Sequence, residues 1–330
     1  MTNLTLLPIL LLANPSIIPP LQIYLAQRGR PEWRDCLLFC LGAQKPLVPT
    51  SLNQGEYPAC AAMTTGYVFR VENQATVMYL QRMSKTGHLV TMEVSSFDQK
   101  SSFPKPRPCT TTMTVLYLPH LLLVHHFLTA PTWDKYFLST LSILIFSRIL
   151  SIFVLGTKIS PSWHGESEPG VQGDLLILLS EDRWVRMKGP VDHLKSITSG
   201  GWLSKPPSRP STLTHDFLDS TSQLLVHVAV IVLASAPDTE KILVVTFALL
   251  SHVVLSLYNA VTTRPLIMNG RQVKLSSDQT SVKKYSRRLI MARELIREMG
   301  RSDFALKLGL INADEINSST GKLKDEIVTM

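Results

Sequence analysis

Arg148 is the residue of this sequence whose type and position hold the most chemistry. It lies inside the apolar run Tyr136–Gly156, among Ser139, Ser142, Ser147 and Ser151. A guanidinium at mid-bilayer costs about 2.5–3.5 kcal/mol on insertion scales, so it needs a partner, a wet cavity or a route to the interface. Two readings follow. Either the serines give this helix a polar face turned toward other helices and a cavity, or the long side chain snorkels to the cytosolic surface. His227 and His252 come next, near the middle of consecutive apolar runs. Two neutral imidazoles at one depth would suit a metal or a haem. No carboxylate stands near either in the sequence to orient its ring, and single helical histidines are more often hydrogen-bonded packing residues. The expectation is therefore no metal and no cofactor.

No GxSxG, HExxH, phosphate loop or paired CxxC occurs in the chain, so no catalytic residue is assigned and an enzyme is not favoured. Cys36, Cys40, Cys60 and Cys109 match no zinc or redox spacing, which reads as reduced thiols. Cys36 and Cys40 stand one helical turn apart and could carry palmitate; two positions on a half-buried helical face is the favoured reading. His164, Glu166 and Glu168 read as a solvated loop.

These residues depend on apolar elements for their placement. The runs LLVHVAVIVLASA and ILVVTFALLSHVVLSLYNAV flank the turn PDTEK within Phe217–Val261. About 20 apolar residues cross a bilayer as a helix, and a Pro-Asp turn sends the next helix back, so this is a membrane hairpin. In hydrocarbon each backbone group must be satisfied within the segment, which selects helices. Further runs are Leu4–Ala26, broken by prolines and read as an uncleaved anchor, Met113–Ala130, and Tyr136–Gly156. The hydrophobic content of 45% is ordinary, so clustering rather than amount marks the class. The fold expected is an all-α membrane protein of four to five transmembrane helices, with a small cytosolic α+β loop subdomain and a basic amphipathic C-terminal helix. Its divisions are 1–26 as anchor, 27–112 as a poorly defined cytosolic segment, 113–156 as a helix pair, 157–216 as the loop subdomain, 217–261 as the hairpin and 262–330 as a basic tail.

Basic residues set the orientation, because Lys and Arg in short flanks stay in the cytosol. Segments 27–112, 157–215 and 262–330 carry ten, seven and thirteen of them, against one each in Pro131–Lys135 and in PDTEK. The N-terminus is therefore expected outside or in the lumen and the C-terminus in the cytosol. Within the loop segment, Asp174–Leu179 and Trp184–Met187 suit a short hairpin. Pro190 then starts a helix that Gly200 and Gly201 end. In the tail, Tyr285, Leu289, Ala292, Ile296 and Met299 recur at helical spacing. Lys283, Lys284, Arg287 and Arg288 crowd the start of that pattern, and Ser281 is read as its cap. Each such cation near anionic lipid is worth about 1 kcal/mol, so these four are membrane-surface candidates; docking on the loop subdomain is the competing use. The partners expected are the bilayer, anionic lipid at its cytosolic face, and a protein partner or a second copy. The net charge of +8 meets no recognised module, so nucleic acid is not expected.

Two stretches carry a resemblance. SEPGVQGDLLILLSEDRWVRMKGPVDHLKSITSGGWL at Ser167–Leu203 and KKYSRRLIMARELIREMGRSDFALKLGLI at Lys283–Ile311 resemble a family of multi-pass integral membrane proteins of filamentous fungi, over roughly residues 133–312. The resemblance implies a membrane location. It implies no activity, because the family has none established that could be carried onto a residue. The function expected is a structural or interaction role with a cytosolic membrane-surface tail. The alternative is a membrane-embedded enzyme or small-molecule carrier accessory to a specialised metabolic pathway.

Overall fold

The computed structural model describes residues 4–13, 15–16, 18–42, 45, 48–97, 115–130, 132–159, 165–203, 209–262, 264–277 and 281–312, with side chains from 212 onward in the helix that begins at 209. After a 3-10 turn at Leu4–Leu12, the elements in chain order begin with α1 Pro20–Arg28, β1 Ala59–Ala62, β2 Val68–Arg70, α2 Gln74–Met83 and β3 His88–Ser96. They continue with α3 His120–Thr129, α4 Lys135–Lys158, β4 Gln172–Leu179, β5 Arg183–Pro190, α5 Val191–Thr198, α6 Arg209–Ala234 and α7 Asp238–Val261. The chain then adds β6 Leu266–Met268, β7 Arg271–Leu275, β8 Val282–Lys284, α8 Arg288–Met299 and α9 Asp303–Lys307. Cys109 and His164 lie outside the described residues.

The all-α expectation is overturned. The described residues are 54% helix and 16% strand, and the eight strands among them form one mixed sheet. Among the described residues three helices, rather than four or five, are long and apolar enough to cross a membrane: Lys135–Lys158, Thr212–Ala234 and Asp238–Val261. The other two runs fail for local reasons. Proline breaks Leu4–Ala26 into the 3-10 turn and α1, since the ring removes an amide donor and clashes with the preceding turn. In Met113–Ala130 a turn at 117–119 interrupts the described residues, and the helix after it lasts 10 residues, about 15 Å of rise.

The chain divides into two compact units, residues 1–54, 97–162 and 201–270, and residues 55–96, 163–200 and 271–330. In the first, α4 packs along α6, the N-terminal turn seats on both α6 and α7, and α7 also packs against α1 and α3. Asp134 caps α4, its carboxylate accepting from the Tyr136 and Phe137 amides at 2.8 and 3.2 Å. The core joins Phe137, Leu141 and Leu144 of α4 to Val226, Ala229 and Leu233 of α6 and Val244, Val245 and Ala248 of α7. The outward residues are apolar too: Phe146, Ile149 and Phe153 on α4, Leu224 and Ile231 on α6, and Leu250, Val253 and Leu257 on α7. Continuous apolar outer faces of this extent suit lipid as the surrounding solvent rather than water.

The second unit is the three-part sheet. Its order runs β2-β1-β4-β5-β3-β7, with β8 also paired on β3. Strands β3 and β5 are parallel, Leu89 opposite Trp184, while β4 and β5 form an antiparallel hairpin with Leu176 opposite Arg186. Glu181 and Asp182 turn that hairpin at positive φ. One face is covered by α8 and α9, where Leu176 and Trp184 meet Met291, Leu295 and Phe304. The other carries Leu175, Ile177, Val185 and Met187 and receives α5, so closely at Gly173 that a Cβ there would stand 2.7 Å from a Leu194 methyl. Helix α2 joins α5 through the Thr76 hydroxyl, which donates to the Ile197 carbonyl at 2.7 Å. ATVMYL has strand-like composition yet forms α2, because Asn73 caps it, accepting from the Thr76 amide at 3.1 Å. A local cap outweighs a weak strand preference.

The amphipathic tail helix is shorter than its pattern. Residues Val282–Lys284 are strand β8, with Leu89 opposite Lys283, and the helix starts at Arg288. Ser281 therefore precedes a strand and caps no helix. The apolar stripe lies in the core of this unit, Met291, Ala292 and Leu295 being buried. That use of the stripe is the docking alternative.

A buried ion network ties the hairpin to α8. The Arg186 guanidinium donates to Asp174 at 2.6 and 3.0 Å and to Glu298 at 2.7 Å, with Arg186 and Asp174 only 6% and 8% exposed. Burial alone would lower the Arg186 pKa, but its bonds to Glu298 and Asp174 outweigh this and raise it above the ordinary range. In turn, Glu298 is held below the ordinary carboxylate value by the Arg186 hydrogen bond, against its partial burial. A depressed carboxyl pKa contributes stability that is present above the unfolded value, about 4.3, and lost as pH falls through the folded value. Acid titration of hydrogen exchange in α8 should therefore show a loss of protection below about pH 4.3. Glu298→Gln should flatten it.

Candidate functional site

The α4–α6 seam places Arg148. Ser147 and Ser151 project toward Ser222 of α6: the Ser147 hydroxyl donates to the Ser222 carbonyl at 2.7 Å, the Ser222 hydroxyl donates to the Ser147 carbonyl at 3.0 Å, and the Ser151 and Ser222 hydroxyls meet at 2.5 Å. Small hydroxyl residues let helices approach closely and hydrogen-bond across the seam, at about 0.6 kcal/mol per bond and up to about 1.7. Ser142 instead bonds back to the Leu138 carbonyl of its own helix at 2.8 Å. Ser222→Ala should lower the thermal midpoint of the full chain in detergent, by a loss of about 1–2 kcal/mol for the seam. Ser151→Ala, which removes one bond, should cost less than half as much.

Arg148 follows Ser147 on this face and is 7% exposed. It lines a pocket with Gln22, Lys45, Ser151, Lys158, Asp219 and Gln223, closed by apolar atoms that include Leu21, Leu25, Ile152 and Leu155. The free volume of about 60 Å³ holds a few waters. Among the described residues, Arg148 Nε and Nη2 have no hydrogen-bond partner, and neither has Gln22 Oε1. The nearby Asp35 carboxylate is committed elsewhere, to the Arg28 guanidinium at 3.0 Å and the Glu32 amide at 2.7 Å. Lys158 stands 3.9 Å from Asp219 and 4.0 Å from Asp216. The lining thus carries three cations against one carboxylate.

The structure does not bring the predicted histidines to Arg148. His227 is exposed on α6, its Nδ1 3.0 Å from the Gln223 carbonyl one turn back. His252 is half-buried on α7, its Nε2 3.5 Å from the Ser16 hydroxyl. Neither lines the pocket. Another histidine, His126, sits 3.8 Å from the buried Glu240. No group of three metal-ligating side chains occurs among the described residues. The membrane-surface candidates separate as well. Lys283 pairs with Glu294 and Arg288 with Asp182, while Lys284 and Arg287 are exposed.

Sequence reasoning found Arg148 through its apolar frame and missed Gln22, Lys45 and Asp219, which share the pocket. Asp219 stood in view at the polar start of a span. Gln22 lay inside the Leu4–Ala26 run, where a polar residue in an apolar frame is a signal of the same kind as Arg148, whereas Lys45 gave none. No protein family, no curated protein and no solved structure matches this chain.

Proposed function

We propose that this chain is a multi-pass membrane protein with a structural or interaction role, presenting its sheet unit at the cytosolic face. The observation that carries the reading is that β3, β5 and β7 are hydrogen-bonded neighbours although apolar helices separate them in sequence. Strands of one sheet share one side of a membrane. The chain must then cross an even number of times between β3 and β4, and again between β5 and β7. Helices α6 and α7 supply the second pair. Between β3 and β4 the described residues hold one helix of that length, α4, which supplies one crossing of its pair. The basic residues concentrated in the strand-bearing segments favour the cytosol for that side.

Exposed Lys284 and Arg287 give the unit a cationic edge for anionic lipid or an acidic protein partner. The test is alkali extraction of membranes from cells expressing the chain with a C-terminal tag, followed by protease treatment of sealed vesicles. A pelleted chain whose tag is digested from outside cytosol-facing vesicles, with a glycosylation site placed in Pro237–Lys241 modified, supports the reading. Release by alkali, or protection of the tag, sinks it. The pocket at Arg148 favours a second reading as a small-molecule carrier, which predicts ligand flux into sealed liposomes.

A further inference from the structure

We infer that the Arg148 pocket is a binding site for a protonated phosphate group, a phosphate monoester or inorganic phosphate. The inference goes beyond the structural role proposed above and does not depend on the number of crossings. Nε and Nη2 are the two nitrogens of one edge of the guanidinium, the edge that meets an oxyanion side-on with two parallel hydrogen bonds. Among the described residues that whole edge is unpartnered, on a side chain that is 7% exposed and lines the cavity. An apolar fill would leave a cation buried beside hydrocarbon, and a cation ligand would meet three positive side chains. Lys158 already faces Asp219 and Asp216, so the charge an anion answers is that of the Arg148 guanidinium.

The second unpartnered group narrows the class. Gln22, 6% exposed, lines the same pocket, and its Oε1 has no hydrogen-bond partner among the described residues; an acceptor repels a fully ionised oxyanion. A phosphate that keeps one P–OH accepts from the Arg148 fork and donates to Gln22, satisfying both with one ligand. Sulfate, a carboxylate and a phosphodiester have no such proton at neutral pH. The same group occurs on phosphatidic acid in the bilayer and on free phosphate in water.

The experiment uses the full chain in zwitterionic nanodiscs and follows its thermal midpoint by intrinsic fluorescence. Inorganic phosphate is added at fixed ionic strength with sulfate as the control, and a second set of nanodiscs contains phosphatidic acid with phosphatidylglycerol as the control. A midpoint raised by phosphate but not sulfate, or by phosphatidic acid but not phosphatidylglycerol, supports the site and identifies a water-borne or a lipid source respectively. Arg148→Met should weaken that binding by about tenfold or more, and Arg148→Lys, which keeps the charge and loses the fork, should recover only part of it. No shift with either probe overturns the inference. So does an equal shift with its control, or a shift that survives Arg148→Met.

Discussion

Replacing Arg186 by leucine is expected to destabilise the sheet unit by about 3–5 kcal/mol, the largest loss anticipated for a single substitution in that unit. The size follows from what is left behind. Asp174 is 8% exposed and takes its side-chain bonds from Arg186 at 2.6–3.0 Å, so the variant would hold a buried carboxylate stripped of those hydrogen bonds, with Lys188 opposite it on β5. Glu298 matters less, because its side chain is 48% exposed and water can replace the guanidinium; an exposed pair is worth at most about 1 kcal/mol. The unit is interleaved with membrane helices in sequence, so the measurement belongs on the full chain, as hydrogen exchange of residues 172–190. Arg186→Leu should speed exchange across both strands of the hairpin. Asp174→Leu combined with Arg186→Leu should recover much of the loss, since two apolar residues in place of a buried pair are often near neutral. If the double variant costs as much as the sum of the singles, the two side chains act independently and the account of the network is wrong.

That network also shows where the sequence was and was not legible. The hairpin β4–β5 and the helix after it could be read locally, because their turn, alternation, Pro190 and Gly200 are all within thirty residues of one another. Asp174 and Arg186 sit on that hairpin two positions off register, a diagonal pair that sequence alone does not distinguish from two solvated charges. The rest of the sheet was hidden for a stronger reason. Pairing of β3 with β5 joins Leu89 to Trp184 in parallel, and β7 joins later still, each time across a membrane helix or two. No local periodicity reports a contact of that range, so β1 to β3 looked like an ill-defined segment and the tail like a free amphipathic helix. The apolar stripe of α8 was visible, but a stripe states only that something covers it. Here Trp184, Leu176 and Met63 do.

The second buried arginine should respond in the opposite direction. Arg148→Met, with no ligand present, is expected to raise stability by about 1–3 kcal/mol, read as a higher thermal midpoint in phosphate-free detergent or nanodiscs. An arginine at the centre of a membrane helix costs about 2.5–3.5 kcal/mol relative to none, and methionine costs little. Water entering the pocket would return part of that cost, which sets the lower end of the range. Both arginines are similarly buried, at 6% and 7% exposure, so burial cannot decide the sign. Hydrogen bonding does: Arg186 donates to two carboxylates, whereas the Nε–Nη2 edge of Arg148 meets none among the described residues. A chain that keeps a destabilising cation in its bundle is the pattern expected of a functional site, where stability is given up for a ligand contact. A drop in midpoint on Arg148→Met would instead mean that the guanidinium is already satisfied within the fold, and the phosphate site would lose its physical basis along with the predicted gain.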